Sequence, residues 1–277
     1  MGAFFITNST NNEKVERVLS IHKKKALTKY HTLTPSGFKI IYFEKKHVDT
    51  SKHIYQQEDD FIIGIGTFSY NKLWAGDALA KIYEDYHIKG YSIFNLVRGH
   101  FNFVMYVKGK LILITDKTGT YHSFNCKENG AFFISNSLIS AASCLSDITI
   151  NNQGAFEFIS CETTINETMI NEVNYNKFGS VINLSDNFAT MDYFREIEQK
   201  EVASISEIAN DIREYFEIFK NTTLSTSSDL SAGFDSRLSC AALESVNAKF
   251  TYNSNANSED TSDLQIAIEI AKPPAIF

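Results

Sequence analysis

The chain has no surplus of basic residues, no closely spaced cysteine pair and no long apolar run, and each absence removes a class of function. Lys and Arg number 26 against 33 Asp and Glu, for a net charge of −7. The electrostatic footprint of a nucleic-acid binder is therefore missing. The one basic cluster, His22 to Lys29, reads as a solvated helix end. Four cysteines, Cys126, Cys144, Cys161 and Cys240, show no C-x-x-C spacing. A chain of this size needs no disulfide framework, so reduced thiols and a cytoplasmic location are expected. No stretch approaches the roughly 18 apolar residues that span a bilayer. The opening "MGAFFITNSTNNEK" has too short an apolar core for a signal peptide, and Ile6 stands where a myristoylation signal wants Ser or Thr. Only three prolines occur, two of them at Pro273 and Pro274.

What is present is core material. Hydrophobic residues make up 43% of 277 positions, enough for one large domain or two small ones. Up to about Leu184 the pattern is short apolar runs, "GAFFIT", "FKIIYFE", "FIIGIGTFS", "FNFVMYVKGKLILITD" and "GAFFIS", broken by Asn, Gly, Ser and Asp. These predict a β-rich domain with a hairpin at the Lys-Gly-Lys of the fourth run. Helical spacing interrupts at "DALAKIYEDYHI", where Leu79, Ile82, Tyr83 and Tyr86 share a face, and at "NNQGAFEFIS". From Ser204 the texture changes. A helix with Ile205, Ile208, Ile212, Tyr215, Phe216 and Phe219 on one face, opened by Ser204 or Ser206, precedes a buried strand, a loop, a helix, the strand "KFTYN" and the helix "DLQIAIEIAK". This β-α-β-α order predicts the start of a parallel α/β domain. Two strands and two helices cannot cover both faces of a parallel sheet, so completion by further polypeptide is expected.

The loop is the candidate site. In "TTLSTSSDLSAGFDSRLSCAAL" the segment from Ser231 to Arg237 joins strand to helix, which places free backbone N–H groups and a positive dipole end where an anion can sit. It is neither a Walker loop nor a Rossmann fingerprint, because only Gly233 is present and no Gly-Lys-Ser/Thr follows. An anion site and a plain connection capped by Ser231, Asp235 or Ser236 both fit the pattern.

"LSAGFDSR" resembles the Ser-Gly-Gly-x-Asp-Ser pyrophosphate loop of the ATP pyrophosphatase enzymes, in the asparagine synthetase and β-lactam synthetase branch. The segment from Gly76 to Ala142 resembles their glutaminase-type domain, with Tyr83, Gly99, Phe101, Phe103, Asp116, Gly119 and Ser135 at matching places. "EDTSDLQIAIEIAK" is similar to the acidic helix after the family's second synthetase strand. The resemblance implies an α+β domain over 1–200, a helix–sheet–sheet–helix sandwich of the N-terminal-nucleophile hydrolase type. An incomplete Rossmann-like α/β domain of the pyrophosphate-loop kind would follow over 201–277. It also implies ATP and Mg²⁺ at Ser231, Ala232, Gly233, Phe234, Asp235, Ser236 and Arg237, with Asp235 on the metal and Asp260 and Asp263 as further nucleotide candidates. Ala232 stands where the family has glycine and is tolerated only at negative φ.

The glutaminase half departs further. Family members that hydrolyse glutamine begin Met-Cys-Gly-Ile, whereas Gly2 occupies the nucleophile's place here and has no side chain with which to attack. The family's Asn-Gly-Glu aligns with Ile65, Gly66 and Thr67, and its glutamine-binding aspartate with Ala75. Asp77, two residues on, reads as a helix N-cap. The expectation is a glutaminase fold without glutaminase activity, attached to an ATP-dependent amide- or lactam-forming ligase that adenylates a small-molecule or peptide carboxylate. The family's second metal carboxylate and catalytic lysine would lie beyond "EIAKPPAIF", so the chain alone is expected to be silent and to need a second chain or further segment. A scaffold module that docks a partner without using ATP is the alternative. Association, with a partner or with itself, is expected under both. His100 and His122 have no spaced partners for a metal, and Trp74 reads as core.

Overall fold

The computed structural model describes residues 2–44, 53–164, 167–194, 204–220, 225–255 and 262–272. The chain divides into two compact units, Met1–Glu196 and Ile197–Phe277. In chain order the first unit contains β1 (Ala3–Thr7), α1 (Asn12–Lys24), β2 (Tyr30–Leu33), β3 (Lys39–Phe43), β4 (Ile54–Gln57), β5 (Asp60–Tyr70), β6 (Leu73–Trp74) and α2 (Ala75–Lys89). It continues with β7 (Arg98–Val107), β8 (Lys110–Thr115), β9 (Phe124–Glu128), β10 (Ala131–Ser135), α3 (Leu138–Ala142), α4 (Asn152–Cys161), β11 (Asn174–Tyr175), β12 (Ser180–Asn183) and β13 (Ala189–Asp192). The second holds α5 (Ile205–Phe216), β14 (Thr226–Asp229), α6 (Phe234–Ser245), β15 (Phe250–Asn253) and α7 (Ser262–Ala271).

Unit one is a mixed α/β fold with two antiparallel sheets. One runs β11-β9-β10-β1-β3-β2 and the other β13-β12-β8-β7-β5-β4, with β6 added to β5. Side chains alternate across a strand, and here both faces find partners. Phe4 and Ile6 of β1, Ile40 and Tyr42 of β3, Ile63 and Ile65 of β5 and Leu111 and Leu113 of β8 meet between the sheets. The intervening Phe5, Ile41 and Phe43 face Val15 and Val18 of α1 and Ala141 and Ala142 of α3. Phe68, Phe101, Phe103 and Ile112 face Ala78, Leu79 and Ile82 of α2. The layers are thus helix, sheet, sheet, helix, and burial on both faces is why the strands read as unbroken apolar runs. The expected hairpin joins β7 to β8 through Lys108 and Gly109, both at positive φ (51° and 75°), the two-residue turn that matches strand twist.

Asp77 does not cap α2. Trp74 holds the N-cap position because the chain enters straight from β6, and Asp77 lies inside the first turn, facing the helix dipole.

Unit two pairs β14 with β15 in parallel, with α6 between them in sequence. β14 is not the buried strand expected: its side chains alternate between half-buried and exposed, because a two-stranded sheet has little core to offer. That core is small, made of Leu230, Cys240 and Ala267 with Phe250 and Tyr252 against them. α5 opens on the expected capping box, with Ser204 and Glu207 reciprocally bonded.

Candidate functional site

The loop from Ser231 to Arg237 leaves the C-terminal end of β14 and turns into α6. None of Ser231, Asp235 and Ser236 caps that helix: the N-cap is Gly233, without a side-chain bond. The hydroxyls satisfy the loop instead. Ser231 N–H donates to Ser236 Oγ at 3.1 Å and Gly233 N–H to Ser231 Oγ at 3.1 Å, while the two hydroxyls lie 2.9 Å apart. Ala232, outside the positive-φ residues, gives its N–H to Asp263 Oδ1 of α7 at 2.8 Å. A carboxyl group from the same unit therefore already sits on this loop.

The first helical turn is left open. Arg237 N–H reaches the Gly233 carbonyl at 3.4 Å, so the N–H groups of Phe234, Asp235 and Ser236 precede the first intrahelical bond and find no partner among the described residues. Around them Asp235 is exposed, Phe234 is 83% exposed, and the Arg237 guanidinium lies over the Phe234 ring at 4.5 Å. The structure thus gathers all seven loop residues and Asp263 at one place, whereas Asp260 lies outside the described residues. No group of three or more His, Cys, Asp or Glu side chains able to hold a metal occurs among the described residues.

In unit one the residues that the resemblance singles out lie just before β1 (Gly2), in β5 (Ile65 to Thr67) and at the start of α2 (Ala75). Gly2 is buried. Its carbonyl accepts from the Tyr121 hydroxyl at 2.6 Å and from Asn136 Nδ2 at 3.2 Å, and Asn136 Oδ1 accepts from Phe4 N–H at 2.9 Å. Burial holds the Tyr121 hydroxyl well above the usual tyrosine range, so it stays a donor. The Tyr121 carbonyl in turn accepts from Asn102 Nδ2 at 2.8 Å, and Asn102 lies opposite Ile65 across the β5–β7 pair. Gly2 and the strand bearing Ile65 are thus joined through Tyr121 and Asn102. Ile65 itself is fully buried between the sheets, while Thr67 is exposed and Ala75 half-buried with φ of 48°. Gly2, Ile65 and Ala75 carry no thiol, amide or carboxylate, and Thr67 carries a hydroxyl.

Tyr121, Asn136 and Asn102 are residues that sequence reasoning passed over. Their only signal is position: Tyr121 in a turn, Asn136 just past β10, and Asn102 a polar residue inside the apolar strand β7. Asp116 explains why Tyr121 is there: Oδ2 accepts from Phe101 N–H at 3.2 Å and Tyr121 N–H at 2.9 Å, and Oδ1 from Thr118 N–H at 3.0 Å, which folds the Asp116–Tyr121 turn.

No helix among the described residues is long and apolar enough to cross a membrane. No family model and no curated protein matches the chain. Among solved structures, it is similar to glutamine phosphoribosylpyrophosphate amidotransferase from B. subtilis complexed with ADP and GMP, at 8% identity and a TM-score of 0.46, over 99% of this chain and 71% of that one. A structure described as the allosteric regulatory enzyme of purine biosynthesis is similar at 7% identity and a TM-score of 0.46, over 99% and 70%. Likeness at this level leaves the chemistry to the residues of the chain itself.

Proposed function

We propose that this chain belongs to an asparagine-synthetase-like, ATP-dependent amide- or lactam-forming ligase, in which a glutaminase-type layer fold has lost its own catalysis. The observation that carries the reading is the open first turn of α6: three backbone N–H groups, Asp235 beside them, at the C-terminal end of a parallel strand. In the proposed reaction a substrate carboxylate oxygen attacks the α-phosphorus of ATP and pyrophosphate leaves. An amine then attacks the acyl carbon, loses its proton, and AMP departs. The negative charge that builds on the leaving pyrophosphate is what preorganised N–H donors and a helix dipole stabilise. Mg²⁺ fits the donor set: an exposed carboxylate is the hard oxygen ligand that this ion takes alongside phosphates and water. Asp235 would hold it, and the ion when bound would neutralise the phosphate oxygens. Asp263 would have to share or yield the Ala232 N–H.

Calorimetric titration with ATP and Mg²⁺ tests this. Binding is expected, weakened by about tenfold or more in Asp235→Ala, because a metal-bridging carboxylate and its charge are lost together. A glutaminase assay on the same preparation is expected to show no glutamate release above blank, since Gly2 offers no attacking atom.

The scaffold reading has one specific observation in its favour. The N–H groups of Ser231, Ala232 and Gly233 are already satisfied by Ser236, Asp263 and Ser231, so the loop can be stable with no phosphate present. Absence of ATP binding to the chain and to its complex with any natural partner would establish that reading and discard the ligase.

A further inference from the structure

The longest stretch of the chain without Lys or Arg runs from Glu128 to Asn176, and it carries Asp147, Glu157, Glu162, Glu167 and Glu172 besides Glu128. Most of it folds into one substructure built around α4. Ile150 bridges Ile170, Asn151 N–H donates to the Met169 carbonyl at 3.0 Å, and Thr149 N–H donates to Glu172 Oε2 at 2.9 Å. Asn151 caps α4 and donates to Glu167 Oε2 at 2.6 Å. Gly154 is the buried position of α4: a Cβ there would stand 2.4 Å from the Thr168 carbonyl oxygen. The helix therefore rests on its glycine, and Phe156 and Ile159, three residues apart, point the other way.

They point into solvent. Phe156 is 67% and Ile159 82% exposed, and Ile148 and Ile150, just before the cap, are 56% and 72% exposed. Large apolar side chains grouped this way and rimmed by polar residues mark an interaction surface. The rim is of one sign. Among the described residues Glu162, Glu167 and Glu172 have no Lys or Arg at ion-pair distance.

We propose that this acid-rimmed apolar surface docks a basic amphipathic helix of another protein. Its apolar face would cover Phe156 and Ile159, and its Lys and Arg side chains would meet the carboxylates of Glu162 and Glu167. Charge selects this occupant over a second copy of the chain. A second copy brought up by a two-fold axis sets acid against acid.

The test uses the full chain and a designed Leu/Lys amphipathic peptide of roughly five helical turns, with a Leu/Glu peptide of equal hydrophobicity as counterpart. Calorimetry at low salt is expected to show binding of the Leu/Lys peptide and none of the Leu/Glu one. The double variant Phe156→Ser, Ile159→Ser is expected to lose about tenfold or more in affinity with its circular dichroism unchanged, because both side chains are exposed. Glu162→Gln is expected to weaken binding several-fold and to flatten its salt dependence. Equal binding by the double variant overturns the proposal, because the peptide then sits elsewhere on an acidic protein. So does self-association of the chain that the double variant abolishes, because a second copy is then the occupant.

Discussion

Gly66→Ala is expected to cost the first unit about 3 kcal/mol or more, from a left-handed backbone forced on an L residue and from overpacking that cannot relax. Gly66 has φ of +111°, and a Cβ there would lie 2.1 Å from the His100 carbonyl oxygen and 2.8 Å from Phe101 Cα. Both are backbone atoms of β7, the strand hydrogen-bonded to β5, so no side chain can swing aside. Gly99, at φ of +107°, faces the same constraint in return, with its Cβ 2.2 Å from the Thr67 carbonyl oxygen. The two glycines let β5 and β7 approach where ordinary residues would push them apart. For a domain of this size the loss corresponds to a fall in Tm of roughly 6–12 °C, or to insolubility. Gly37→Ala serves as control: it shares the positive φ but has no atom within 4 Å of its Cβ, so only the backbone cost remains. A Tm for Gly66→Ala no lower than the control's would show that the strands can separate without penalty. Close strand approach is by itself a sufficient reason for glycine at position 66.

Acid is expected to destabilise the first unit through His22. The residue is 1% exposed, its ring packs tilted against Phe43 with centroids 4.0 Å apart, and Nε2 lies 3.1 Å from Ser140 Oγ. Nδ1 has no partner. Burial, and then the nearby charge of Lys25, pull its pKa down from 6.5 to about 4. The sign follows from which state binds the proton. Above pH 6.5 the imidazole is neutral folded and unfolded, and contributes nothing to pH dependence. Between pH 6.5 and 4 the unfolded chain takes up the proton and the folded one does not, so stability falls as pH falls. By pH 4 the loss from this group approaches about 3 kcal/mol. His22→Gln can still bond to Ser140 but cannot titrate there. Urea unfolding of both proteins at neutral pH and near pH 4.5 is expected to show the native protein losing clearly more stability than the variant over that interval. Parallel losses would mean that the ring is solvated in the folded state.

Much of the first unit is legible in the sequence because its signals are local. "GAFFIT" and "GAFFIS" are unbroken because β1 and β10 are covered on both faces, and the chain carries that fact in a few adjacent residues. The turn at Lys108 and Gly109 and the Ser204–Glu207 box are each complete within four residues, and the apolar face of α2 within the eight from Leu79 to Tyr86. The same locality misled at Asp77 and at β14. An N-cap depends on where the preceding strand releases the chain, and burial depends on how many strands lie beside it.

The lack of a side chain at Gly2, and the run of carboxylates without cations from Glu128 to Asn176, are matters of composition, so the amino-acid sequence alone determined them. So were the strand and helix periods, which depend on neighbours a few residues apart. Only the tertiary structure decided that β1 lies between β10 and β3, that Tyr121 and Asn136 close on the Gly2 carbonyl from 119 and 134 residues away, and that Asp263 reaches the Ala232 N–H across 31 residues. It also set the backbone of Gly66 against β7. Contacts of that span have no periodic trace, because they are selected by the packing of whole layers rather than by the conformational preference of any one segment.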